Sequence, residues 1–256
     1  MPRLKPTAIA LGAVVLLALP RSASAEPCRT QSFGGSSYVV CSFDLARETV
    51  RTYWLGGDGK PYRTFGALGE ALEREGKSLR FAMNGGMYRP DLRPVGLYVE
   101  SGKELAPANT KTVAGTPGQI PNFYKKPNGV FYIGDGEAGI LETRRFLAKR
   151  PRADFATQSG PMLVIDGSIH PAFIAGSSDR KPRNGVCVTG GKRMDFVMTR
   201  GWVNFHAFAR FFRDGLDCDN ALFLDGGQAS GLYAPELRRN DAPGHGGYGP
   251  IIAVVE

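Results

Sequence analysis

The chain has 256 residues, 42% of them hydrophobic and 22% charged, with a formal net charge of +8. This is the balance of a globular protein, and it excludes a disordered or fibrous chain. The positive charge is modest and scattered, which argues against nucleic acid as a partner and suits an anionic substrate.

The first predicted element is an export signal over residues 1–25. Arg3 and Lys5 form a basic start, Thr7 to Leu19 is apolar, and Ala23-Ser24-Ala25 supplies the small residues that a signal peptidase needs. The apolar run of 13 residues is shorter than the ~20 that span a bilayer as a helix, so no stable membrane span is expected. Cleavage after Ala25 leaves 231 residues starting at Glu26 and, with Arg3, Lys5 and Arg21 removed, a net charge of +5. A periplasmic or secreted protein is expected. No shift in composition divides residues 26–256, which read as one domain.

Four cysteines remain, Cys28, Cys41, Cys187 and Cys218. An even count in an exported protein favours disulfides, with three possible connectivities. The short loop through Gly34-Gly35 favours Cys28–Cys41, and Cys187–Cys218 then follows by elimination. No spacing forms a zinc pattern.

Strands are predicted at Ser37–Phe43, Thr49–Trp54, Leu79–Met83, Val95–Val99, Val130–Ile133, Pro161–Ile165, Val186–Thr189, Met194–Met198, Ala221–Leu224 and Ile251–Val255. Asn128-Gly129, Asp135-Gly136, Asp166-Gly167 and Gly190-Gly191 punctuate them as hairpin turns. One helix is predicted over Phe65–Gly76. A second is capped by Asn204, carries Phe205, Phe208, Ala209, Phe211 and Phe212 at helical spacing, and ends at Gly215. Many strands, few helices and hairpin links give an α+β fold, a single domain built on a large antiparallel or mixed sheet with a few packed helices.

Four segments can carry chemistry. In Ala221-Leu-Phe-Leu-Asp225-Gly226-Gly227-Gln228-Ala229-Ser230 an apolar strand delivers a carboxylate, two glycines that allow close backbone approach, and a hydroxyl. Phe81-Ala-Met-Asn84-Gly85-Gly86-Met87-Tyr88 repeats this grammar with an amide, able to donate and accept toward a sugar hydroxyl or phosphoryl oxygen. Ser177-Ser-Asp-Arg180-Lys181-Pro-Arg183-Asn184-Gly185 reads either as a solvated loop or as an anion site with Arg183 held at a strand entrance. Gln158-Ser159-Gly160-Pro161 is followed by His170, a site-lining donor. No G-x-S-x-G elbow surrounds Ser159, so a Ser159–His170 nucleophile pair is disfavoured.

In this order, Asn84-Gly-Gly-Met-Tyr, Asn128-Gly-Val-Phe, Ser159-Gly-Pro, Asp166-Gly, Arg183-Asn-Gly-Val and Leu224-Asp-Gly-Gly resemble the phosphodiester glycosidase family. The likeness runs from about Val39 to Val255. It implies hydrolysis of the glycosidic C–O bond of a sugar-1-phosphodiester, such as a phosphorylated glycan, with Asn84, Arg183 and Asp225 in the groove and Ser159-Gly160 and Gly226-Gly227 shaping its walls. Gly85, Gly86, His170, Lys181, Asn184 and Ser230 complete the expected substrate contacts. Cys187 and Gln228-Ala229-Ser230 depart from the family pattern, the latter beside the implied carboxylate.

The chemistry suits these residue types. The phosphate monoester leaving group has a second pKa of about 6, so it needs less protonation than the alkoxide expelled in ordinary glycosidases. A cation for the phosphate and one carboxylate suffice. No cofactor is implied, and a metal is left unassigned. Two other readings remain: a non-catalytic binder of phosphate-linked glycans, which tolerates loss of Asp225, and an esterase using Ser159 or Ser230, which a fluorophosphonate labels.

Overall fold

Strand-forming runs separated by positive-φ turns fold into three antiparallel sheets of seven, five and five strands. The computed structural model describes Met1 and residues 26–116 and 118–256. The predicted export signal, residues 1–25, lies outside the described residues except for Met1.

The seven-stranded sheet runs, in spatial order, Cys28–Phe33, Ser36–Asp44, Arg193–Thr199, Asn184–Thr189, Ala221–Phe223, Met162–Ile165, Ser168–Ile169. The second sheet runs Arg239–Asn240, Leu232–Ala234, Leu79–Asn84, Ile251–Val255, Thr49–Tyr53. The third runs Lys103–Ala106, Tyr98–Glu100, Phe155–Ser159, Gly129–Gly134, Glu137–Glu142. The α+β class and the antiparallel pairing follow the sequence; the division into three sheets is a tertiary feature.

All three sheets contribute to one shared core. Phe196 of the first packs 5.2 Å from Phe81 of the second and 6.0 Å from Phe131 of the third, ring centre to ring centre. Each sheet covers its other face with one helix. Helix α1 (Phe65–Arg74) is capped by Thr64, whose Oγ1 accepts from the Ala67 N–H at 3.1 Å, and lays Phe65, Leu68 and Leu72 on Ala82, Ile251 and Ala253. Helix α2 (Thr143–Lys149), absent from the sequence reading, sets Phe146 against Leu97, Val130 and Ala156. Helix α3 (Phe205–Arg210) is capped by the Asn204 side chain and widens into a π-type turn over Phe211–Gly215. Its aromatic stripe packs on Tyr38, Val40 and Val197, as a helix-on-sheet stripe should.

Three of the four expected turns are hairpins with left-handed backbone, at Asp135-Gly136, Asp166-Gly167 and Gly190-Gly191. Asn128-Gly129 is not one. Asn128 is buried, its Nδ2 donates to the Phe123 carbonyl and its Oδ1 accepts from Thr143 Oγ1, and Gly129 already belongs to a strand. The run expected as strand Val95–Val99 pairs as a strand only from Tyr98, because the Leu97 N–H donates to the Gln158 side chain instead of a ladder. Both disulfides form as expected. Cys28 and Cys41 are directly opposed on neighbouring strands, and Cys187 joins Cys218.

Candidate active site

Ends of strands from all three sheets converge on one polar cluster. Strand Leu79–Asn84 delivers Asn84, Asn184 begins its strand, and Ala221–Phe223 runs on through Leu224 to Asp225. The Leu224 N–H donates to the Asn184 carbonyl at 3.2 Å, fixing the two first-sheet segments side by side. From the third sheet, Ser159 ends its strand and leads through Gly160 to Pro161, whose carbonyl accepts from the Phe223 N–H at 3.1 Å.

Asn84 ties the cluster together. Its Nδ2 donates to the Asp225 main-chain carbonyl at 2.8 Å, while its Oδ1 accepts from Asn184 Nδ2 at 2.6 Å and from the Gly231 N–H at 2.9 Å. The amide expected to meet substrate is thus engaged within the protein, where it holds the main chain at Asp225. Four polar atoms of this region are buried with no hydrogen-bond partner among the described residues: Asn184 Oδ1, Ser159 Oγ, Ser230 Oγ and the Tyr88 hydroxyl. Buried polar atoms nearly always have partners, so a group of unpaired ones marks where a polar ligand can complete them.

The Asp225 carboxyl makes no hydrogen bond or ion pair among the described residues. Burial alone pushes it up to about 7, because removing water from a carboxyl penalises its charged form. The phenol of Tyr88 is pushed well above its usual range, by burial first and then by the charge of Asp225. Tyr88 was outside the expected contacts, although it closes the Asn84-Gly-Gly-Met-Tyr run and could have been drawn from it.

The glycines serve mainly the protein's own packing. A Cβ on Gly86 would stand 2.3 Å from the Gln158 carbonyl oxygen, one on Gly160 would stand 2.5 Å from Asn128 Cβ, and one on Gly226 would stand 2.6 Å from the Phe223 ring. Gly85 is packed similarly on Pro250, at 3.1 Å. Gly227 alone of the five combines a positive φ, +67°, with open space around its Cβ position.

Arg183 is placed elsewhere. Its side chain is 1% exposed; Nε donates to the Val203 carbonyl at 2.9 Å and Nη2 to the Asp179 carbonyl at 3.2 Å. The guanidinium lies 3.5 Å from the centre of the Phe205 ring, with the Asp179 carboxylate 3.7 Å from Nη2. Desolvation lowers it to about 10, partly opposed by Asp179. In this arrangement the guanidinium is held by two carbonyls and lies over the Phe205 ring, rather than being presented for the expected two-point contact with a phosphate. It also lies 5.8 Å from the centre of the Phe223 ring, which backs Gly226. Lys181 lies on the same side, paired with Asp179 at 2.9 Å.

His170 also belongs to that side. Its Nε2 faces the Lys126 carbonyl at 3.0 Å and its Nδ1 accepts from the Ala172 N–H at 3.1 Å, so the assigned tautomer carries the proton on Nε2. Burial lowers its pKa. With both ring nitrogens engaged and the Ser159 hydroxyl unpartnered, the two do not form a nucleophile and base. Among the described residues, no three His, Cys, Asp or Glu side chains gather where they could hold a metal ion.

Comparison with known proteins agrees with this architecture. Residues 77–252 match the phosphodiester glycosidase family. The uncharacterized protein YigE of Escherichia coli is 33% identical over 179 residues, covering 70% of this chain and 67% of that protein. Among solved structures, the zebrafish N-acetylglucosamine-1-phosphodiester alpha-N-acetylglucosaminidase catalytic domain, auto-inhibited by its pro-peptide, superposes with a TM-score of 0.59. Identity is 14%, over 89% of this chain and 81% of that one. A putative exported protein from Burkholderia pseudomallei gives a TM-score of 0.52 at 12% identity, over 86% and 74% of the two chains. At such identities the structural likenesses establish the fold. The chain belongs to the phosphodiester glycosidase family.

Proposed function

We propose that this protein is an exported hydrolase that cleaves the glycosidic C–O bond of a sugar-1-phosphodiester, with Asp225 as the reacting carboxylate. The observation that carries the reading is a carboxyl without a hydrogen-bond or ion-pair partner among the described residues, pushed up to about 7, at a strand end whose main chain Asn84 ties to Asn184 and Gly231. A group titrating near neutrality is well matched to general-base work. In the step, the carboxylate takes a proton from water as its oxygen attacks the sugar C1, the C1–O bond breaks, and the phosphate monoester leaves with the bonding electrons. Asn184 Oδ1, Ser159 Oγ, Ser230 Oγ and Tyr88 then meet the sugar hydroxyls, while Asn84 holds the direction of Asp225.

Likeness to the zebrafish N-acetylglucosamine-1-phosphodiester alpha-N-acetylglucosaminidase supports an N-acetylglucosamine 1-phosphodiester as the substrate class. Two disulfides support export. The test incubates purified protein with α- and β-linked sugar-1-phosphodiesters and detects released phosphate monoester by mass spectrometry. Wild type should turn over one anomeric series, and Asp225→Asn should be slower by a factor on the order of 10²–10⁴. Turnover by Asp225→Asn at the wild-type rate would remove Asp225 from the chemistry.

A further inference from the structure

A sugar-1-phosphodiester carries an anion that Arg183 and Lys181 do not meet, since the first is held by two carbonyls and the second pairs with Asp179. Another cation stands at a cavity of about 290 Å³, at the lower limit of small-molecule sites. Tyr88, Arg89, Pro90, Leu92 and His245 line it. Arg89 follows directly on the run from Asn84 to Tyr88 and opens a tight turn. Its N–H donates to the Arg93 carbonyl at 2.9 Å, and its own carbonyl accepts from the Leu92 N–H at 2.7 Å. The neighbouring carboxylate, Asp91, is taken by Arg93, whose N–H it accepts at 3.1 Å and whose Nε lies 3.6 Å away. The Arg89 guanidinium has neither an ion pair nor a hydrogen bond among the described residues. The His245 imidazole has no hydrogen-bond partner among them either, and it meets the Tyr88 ring edge to face with centres 5.7 Å apart.

Direct contacts fix this cavity beside the Asp225 loop. Asn84 Nδ2 donates to the Asp225 carbonyl at 2.8 Å, and the Gly85 N–H donates to the Pro250 carbonyl at 2.7 Å. The Gly244 N–H, next to His245, donates at 3.3 Å to the carbonyl of Gln228, three residues beyond Asp225. A Cβ on Gly249 would stand 2.5 Å from Tyr88 Cγ, so the His245 loop and the Tyr88 ring are in close contact. That loop is also held at its far end, where the Tyr248 N–H donates to the Arg63 carbonyl at 2.7 Å and Arg63 Nε to the Gly246 carbonyl at 3.1 Å. Tyr88 belongs to both places. Its ring lines the cavity, while its hydroxyl is buried without a partner and its phenol feels the charge of Asp225.

We propose that this cavity holds the phosphate of the substrate, with the Arg89 guanidinium and the His245 imidazole as donors and Tyr88 as the wall shared with Asp225. This rests on the hydrolase reading above and assigns the cation that Arg183 does not supply. A guanidinium fork matches two oxygens of a phosphate at once, and an imidazole N–H adds a third donor. The loop contacts hold these donors near Asp225 before a ligand arrives, which lowers the ordering cost of binding. The leaving phosphate is bonded to the same C1 that the activated water attacks, so a phosphate site has to adjoin the carboxyl, and the Tyr88 wall meets that condition.

Calorimetric titration of the wild-type protein with inorganic phosphate tests binding without turnover. Arg89→Ala should weaken binding about tenfold, as loss of a charge-assisted contact does. Arg89→Lys should recover part of that loss, and His245→Ala should weaken binding about threefold. Arg144→Ala, an exposed arginine on helix α2, should leave binding unchanged. No phosphate binding by wild type, or the same weakening in Arg144→Ala as in Arg89→Ala, overturns the proposal. Hydrolysis of the methyl ester of N-acetylglucosamine 1-phosphate is then compared, and Arg89→Ala should lower kcat/KM about tenfold. Equal kcat/KM in wild type and Arg89→Ala overturns the phosphate site and leaves the hydrolase standing. If wild type leaves the ester intact while phosphate binding still depends on Arg89, the hydrolase reading falls and the anion site holds.

Discussion

Arg183 and Asp225 flank neighbouring strands of the seven-stranded sheet, one just before Asn184–Thr189 and the other two residues after Ala221–Phe223. Their surroundings treat them in opposite ways. The guanidinium has two carbonyl acceptors, a carboxylate and an aromatic face. The carboxyl has no partner among the described residues and is pushed up to about 7. A charge whose burial is compensated stabilises the structure around it, whereas one left uncompensated stays available to a substrate. The difference supports the proposed division between a brace and a reactive group, although both residues belong to the motifs that resemble the family.

The widest expected effect of this contrast is on stability against pH. The folded-state pKa of Asp225 lies above the unfolded value, so its contribution is fully present below about pH 4 and is lost as pH rises through about 7. A shift from 3.8 to about 7 corresponds to ~4 kcal/mol. Asp225→Asn cannot ionise. It should match wild type at pH 4 and become more stable by up to about 4 kcal/mol at pH 8. Paired urea melts at pH 4, 6 and 8 check this, and a gap that does not widen with pH would show the carboxyl to be well solvated.

Next comes the covalent tie between the two strands. Cys187 lies on the strand after Arg183, and Cys218 precedes the strand that leads to Asp225, at a sequence separation of 31. In the chain-entropy model its closure stabilises by ~4 kcal/mol, against ~3 kcal/mol for Cys28–Cys41 with its separation of 13. The paired replacement Cys187→Ser with Cys218→Ser should therefore cost more stability than Cys28→Ser with Cys41→Ser. Denaturant melts of both variants decide the order.

Arg183→Ala sharpens the brace reading. It leaves the Asp179 carbonyl without its Nη2 donor, leaves the Val203 carbonyl with the Lys181 N–H alone, and opens space beside Phe205. A loss of about 3 kcal/mol is expected, or roughly 6–12 °C in Tm for a chain of this size. Turnover per folded molecule should fall far less than in Asp225→Asn. The opposite pattern, an unchanged Tm with a collapse in kcat/KM, would restore the phosphate contact. The smallest effect expected is that of Gly227→Ala. Its Cβ meets open space, but φ is +67°, a left-handed conformation that costs a non-glycine residue about 1 kcal/mol. Thermal melts should show that modest loss, and a larger one would mean that the loop is packed more tightly than its open surroundings indicate.

The elements most legible in the sequence are those whose signals are local. Strand Ile251–Val255 is apolar throughout because it is buried on both faces, and Asn204 announces helix α3 through its own side-chain cap. Strand Cys28–Phe33 was missed because it is a polar edge strand whose partner lies on one side only. Helix α2 was missed because its seven residues carry only two buried side chains, too few to set up a helical period. The paired glycines, expected to admit a ligand, serve mainly the packing of the loops they occupy. Gly86 lets the second sheet approach Gln158 of the third, while Gly160 and Gly226 let their loops pack on Asn128 and Phe223 of their own sheets.

The sequence by itself determined which residues form most of the strands, where the hairpins turn, which cysteines could pair, and that Asp225 leaves an apolar strand with a set direction. Those features depend on side-chain alternation and on backbone preferences spanning a few residues. Only the tertiary structure decided that Asn84 reaches across 141 residues to the Asp225 carbonyl and across 100 to Asn184. It alone decided that Arg183 turns to Phe205 and Asp179 while Asp225 keeps no partner. Hydrogen-bond partners and desolvation depend on which distant strand ends meet, and no local pattern of residues encodes that meeting.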